Sequence, residues 1–165
     1  MKILGLTLLA FAIGSCASNS TSAPTTPSEF TATTTDFSNY TTWTQNGTPR
    51  RGVDPAGLLG MGAHGGNDSM VTRTIWMKQI NPERNASGQF PVGTIFLKES
   101  SMQGSVPMVT AMSKRGGSYN ASGNGWEYFM LSGGQIMGRG DTLMGGMCKG
   151  CHTSAGTGKD FVFTR

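Results

Sequence analysis

Residues 148–152 read Cys-Lys-Gly-Cys-His. On a helix the two thiols stand one turn apart, close enough to meet the two vinyl groups of one porphyrin. The histidine that follows then aims its imidazole at the iron, which makes this the attachment signature of a c-type haem. A redox Cys-x-x-Cys or half of a zinc site would explain the cysteines alone, but neither calls for a histidine at 152. A zinc site also needs two further ligands, and His64 is the one other histidine in the sequence. A fold that carries a covalent porphyrin must wall it in, so this pentapeptide constrains the architecture more than any other stretch. One haem c is expected, held through Cys148 and Cys151, with His152 as the iron ligand.

The surrounding sequence narrows the architecture. No methionine follows His152, so the common small helical arrangement, with the motif first and a methionine ligand downstream, does not apply. A four-helix bundle can carry the motif late, but it needs long stretches of 3.6-residue periodicity. This chain alternates instead. In residues 70–79, Val71, Arg73, Ile75 and Met77 share one face, and Thr72, Thr74, Trp76 and Lys78 the other. Residues 94–100, 107–114 and 126–132 read as three more strands, each bounded by Gly, Pro, Asn or Ser. Helices are expected only at 36–44 and in a segment opening near Asp141. Asp141 is placed to cap that segment, although Gly145 and Gly146 weaken it. The predicted fold is α+β: an antiparallel sheet core with a few short helices, holding a single haem whose sixth iron position is open or weakly held. Met70, Met77, Met108, Met112 and Met130 fall in strands and read as core filling, whereas Met137, Met144 and Met147 remain candidates for an axial ligand.

Residues 1–15 read as a signal peptide, with Lys2 ahead of an apolar run from Ile3 to Ile13 that is too short to span a bilayer. The run closes on Ile13-Gly14-Ser15-Cys16, which resembles a lipoprotein cleavage box with Cys16 as the acylated residue. Ordinary signal-peptidase cleavage beside an incidental cysteine is the other reading. Several acyl chains on one residue hold a protein stably at a membrane, so the expected location is the periplasm, anchored to the outer membrane. Residues 16–35 are rich in Ser, Thr and Pro and read as a flexible tether, leaving 36–165 as the haem domain. Cys16, Cys148 and Cys151 are all the cysteines, so no disulfide framework is expected. The net charge of +4 is scattered, with adjacent basic residues only at Arg50-Arg51 and Lys114-Arg115, which argues against nucleic acid as a partner.

Three charges interrupt faces that otherwise read as buried. Arg73 stands between Val71 and Ile75, Lys98 alternates with Phe96 and Thr94, and Glu127 shares its face with Phe129 and Leu131. A buried charge without a partner is costly. An Arg73–Glu127 ion pair, strands turned toward water, or a polar pocket over the haem would each satisfy them.

From about residue 40 to residue 165 the chain resembles the cytochrome P-460 family, which also includes the β-sheet cytochromes c′. Five stretches carry the likeness in one order: VTRTIWM (71–77), VGTIFLKES (92–100), GNGWEYF (123–129), CKGCH (148–152) and DFVFTR (160–165). The resemblance implies a compact sheet-based monohaem protein, often a homodimer. In the hydroxylamine-oxidising branch a lysine is joined to the porphyrin edge, and the matching residue is Lys98. The matching distal arginine is Arg73. The matching carboxylate, a proton acceptor during hydroxylamine oxidation, is Glu127. The c′-like branch has an ordinary haem c under an apolar cap and binds nitric oxide. Three readings follow: an enzyme that oxidises hydroxylamine and passes electrons to a soluble cytochrome, a nitric-oxide binder, and a plain electron carrier. Glu127 favours the first.

Overall fold

The structure is a computed structural model that describes residues 28–53, 69–79, 82–102 and 108–163. The expected signal peptide, Cys16, most of the tether and His64 lie outside the described residues. Within them are seven strands: β1 (Thr44–Gln45), β2 (Arg50–Arg51), β3 (Thr72–Met77), β4 (Ile95–Ser101), β5 (Met108–Lys114), β6 (Trp126–Ser132) and β7 (Gln135–Gly140). They form one sheet in the order β1-β3-β4-β5-β6-β7, with β2 also paired to β3, and every pair is antiparallel. Strands β3 to β6 lie within two residues of the expected bounds. The antiparallel sheet core expected from alternation is therefore the observed one.

Strand β7 was not visible in the alternation. Its sequence, Gln-Ile-Met-Gly-Arg-Gly, is half exposed along its length and carries two glycines. The signal that announces it is the pair Gly133-Gly134, with φ of 54° and 79°. Two successive left-handed residues make the tight turn whose twist matches that of a hairpin, and Ser132 accordingly pairs with Gln135.

The two expected helices are shorter than the sequence suggested. Residues 36–44 instead form two 3-10 turns, Thr34–Phe37 and Tyr40–Thr42, before β1. Extended Ser38 (ψ 143°) and left-handed Asn39 (φ 56°) separate them, and threonine-rich sequence gives little helical preference to resist the break. Near Asp141, the turn Leu143–Gly146 is kinked at Met144 (φ 54°) and Gly145 (φ 66°), so helix α1 runs only over Met147–Thr153. Asp141 does not cap it; its carboxylate meets Lys149 Nζ at 3.3 Å.

Both faces of the sheet are apolar. On one, Leu97, Ala111, Phe129 and Leu131 pack with Phe37 and Ala32, the Phe37 and Phe129 rings lying 4.9 Å apart. Ala32 is fully buried, and the Phe30 amide donates to Arg115 O at 2.9 Å. The packed domain thus begins before residue 36: the last part of the expected tether, residues 28–35, is docked on the sheet. Its Ser/Thr composition hid the apolar anchors Phe30 and Ala32.

On the other face, Met77, Phe96, Met112 and Tyr128 stand side by side across β3, β4, β5 and β6. Met77 and Met112 fill the core as expected. Met70, Met108 and Met130 do not, being 51%, 49% and 37% exposed. Met70 precedes β3, and the other two border a cavity.

Candidate haem site

The cavity has a volume of about 560 Å³ and lies between this second face and the C-terminal segment. Cys148, Cys151 and His152 border it from α1 and Phe163 from the segment that follows; Arg73, Lys98, Thr110 and Met130 border it from the sheet. The kinked turn before α1 aims that helix at the sheet, with Cys148 packed against the apolar cluster of Phe96, Met112 and Tyr128. Cys148 and Cys151 stand one helical turn apart on α1. Burial pushes the Cys148 thiol up from its usual range.

His152 is held from the side away from the cavity chemistry. Its Nδ1 lies 3.0 Å from Phe161 O. A carbonyl oxygen only accepts, so Nδ1 carries the proton and Nε2 keeps its lone pair for a metal. The rings of Tyr128 and Phe163 flank the imidazole at 5.2 and 5.6 Å.

These walls suit a haem. Val53, Met108, Met130, Met144, Met147 and Phe163 are large apolar residues exposed to solvent, and all six line the cavity. Apolar area left open in this way asks for a cover, and a flat, largely apolar porphyrin between two thiols and a histidine provides one. Of the axial-ligand candidates, Met144 and Met147 border the cavity, whereas Met137 on β7 is 69% exposed and does not.

The three expected polar residues separate by strand parity. Ile75, Lys98, Thr110 and Met130 form one cross-strand row on the cavity face. Arg73 points to the same side and is 7% exposed, with Nη1 donating to Gly52 O and to Val71 O. Glu127 lies on the opposite face, 2% exposed. Both its oxygens accept from Arg139, from Nε and Nη2 at 2.8 Å each, and Arg115 Nη1 is 3.7 Å away. The expected distal base is therefore not in the cavity, because an odd-numbered residue on β6 points away from an even-numbered one on β4 in this register. The Arg73–Glu127 pair does not form either; Arg139 is the partner. No carboxylate belongs to the described cavity wall, which instead carries Arg50, Arg51, Arg73 and Lys98. The pair Arg50-Arg51 was visible in the sequence, but only its position on β2 beside Arg73 brings it to the site.

The family model for cytochrome P-460 matches residues 38–164. The chain belongs to the cytochrome P-460 family. No curated protein and no solved structure matches it. Membership makes it a haem protein of the P-460 family, the described residues form an antiparallel sheet with one α-helix and 3-10 turns, and the match spans the sheet, the cavity and the Cys-x-x-Cys-His segment together.

Proposed function

We propose that this P-460 chain oxidises hydroxylamine at a haem c attached through Cys148 and Cys151, with Lys98 meeting the porphyrin edge. The position of Lys98 carries the reading: it stands in the middle of the sheet, on the wall of the cavity that both thiols and His152 border. Bound there, a haem would supply an open coordination position for the substrate nitrogen and accept its electrons. His152 presents Nε2, fixed in tautomer by Phe161 O. Arg73 brings a guanidinium to the wall, held by backbone carbonyls so that its orientation is set in advance. The signal-like run and Cys16 support a lipid-anchored periplasmic protein at the outer membrane; the homodimer follows from the family resemblance, and the soluble cytochrome acceptor from the oxidase reading.

The absence of a carboxylate from the described cavity wall favours a second reading, a c′-like protein that binds nitric oxide beneath apolar Ile75, Phe96 and Met112. The absorption spectrum of the reduced protein separates them. A Soret band far to the red of ordinary haem c, returning to the ordinary position in Lys98→Ala with loss of turnover, is expected. An unshifted band in the unsubstituted protein overturns the enzyme reading, a five-coordinate form then pointing to gas binding and a six-coordinate low-spin form to electron transfer.

A further inference from the structure

The carbonyl that holds His152 sits in an unusual turn. Asp160 and Phe161 are consecutive left-handed residues, with φ of 49° and 58°, and neither is glycine. Residues with a Cβ adopt this conformation at a cost, so something must hold them there. The holding group is the Asp160 side chain, which is fully buried. Its two oxygens accept from Lys114 Nζ at 2.8 Å each, from the Phe90 amide at 2.8 Å and from Asn124 Nδ2 at 3.1 Å. Its own backbone carbonyl accepts from Trp126 Nε1 at 2.8 Å. Lys114 is 4% exposed, and its ammonium also lies 5.2 Å from the Trp126 ring. An aspartate, a lysine and a tryptophan from β5, β6 and the C-terminal turn are thus gathered about one strained peptide. The product of that arrangement is Phe161 O, aimed at His152 Nδ1.

We propose that Asp160, neutralised by Lys114, is a positioning residue for the iron ligand: it locks the Asp160–Phe161 turn so that Phe161 O accepts a well-aligned hydrogen bond from His152. Such a bond raises the basicity of a ligating imidazole. A more basic imidazole strengthens the bond from Nε2 to iron and favours the oxidised metal, so the network sets the reduction potential from a residue that touches neither haem nor substrate. The inference goes beyond the choice of substrate and rests only on His152 as the iron ligand.

Two variants of the haem-loaded protein test it: Asp160→Asn, which keeps the shape but loses the charge, and Asn124→Gly, which removes one donor while accepting the local φ of 50°. In the ferrous protein the iron–histidine stretching band, read by resonance Raman, is expected to shift to lower frequency. The midpoint potential is expected to rise, more in Asp160→Asn than in Asn124→Gly. Should Asp160→Asn fail to fold, Asn124→Gly decides alone. A folded variant of reduced thermal stability whose band and potential match the unsubstituted protein overturns the proposal, since that is what a purely structural role gives. In a five-coordinate ferrous protein, lack of any iron–histidine band overturns the ligand assignment, and the proposal with it; in a six-coordinate one the midpoint potential decides.

Discussion

Glu127 and Lys98 are charged residues on strands of one sheet, yet they face different environments. Glu127 is clamped by Arg139, whose Nη1 also donates to Ala32 O at 2.9 Å and so ties the N-terminal segment to β7. Glu127→Gln weakens a bidentate pair and should lower stability by about 1–3 kcal/mol, while turnover per folded molecule stays unchanged; denaturant titration beside a hydroxylamine assay reads both. Tyr40 offers a second test. Burial, reinforced by its bond to Glu99 Oε2 at 3.0 Å, pushes its phenol up to about 12 from 10.0. Above pH 10 the unfolded chain loses this proton first, so the folded state holds more protons and stability falls as pH rises from 10 toward 12. Tyr40→Phe should remove that part of the decline, seen as a flatter unfolding midpoint across the window. At this scale the thiols and His152 were legible because their chemistry fixes their spacing. Asp160 was not, because its role depends on partners 34 to 70 residues away.

Among elements, β3 to β6 could be read from alternation alone, since each carries branched or aromatic residues on two faces that both become buried. Strand β7 lacks that signature and is defined by the turn before it. A Cβ at Gly134 would meet nothing within 4 Å, so its φ of 79° is the sole obstacle to a side chain. Gly134→Ala should therefore cost about 1–2 kcal/mol, measured by chemical denaturation, with the haem spectrum intact. Helix α1 was foreseen in place but not in length: Gly145 and Gly146 end the preceding turn instead of diluting a longer helix.

For the whole molecule, the apolar side chains around the cavity tie stability to the prosthetic group. A Cys148→Ser/Cys151→Ser protein purified without haem should bind a hydrophobic dye such as ANS and unfold at lower temperature than the loaded form, because a ligand that binds only the native state stabilises it. Equal dye binding by both forms would remove the cavity from this role. The sheet that makes one wall of that cavity is also a partition, and residue numbers decide on which side of it a group falls. Met130, two strands from Lys98 in the same row, already stands on the cavity side. One nucleotide change there, Met130→Lys, or two, Met130→Glu, would introduce a charge on the cavity wall without disturbing Glu127. Acid–base capacity in this scaffold can thus be gained or lost at position 130 while the anchor on the far side is inherited unchanged.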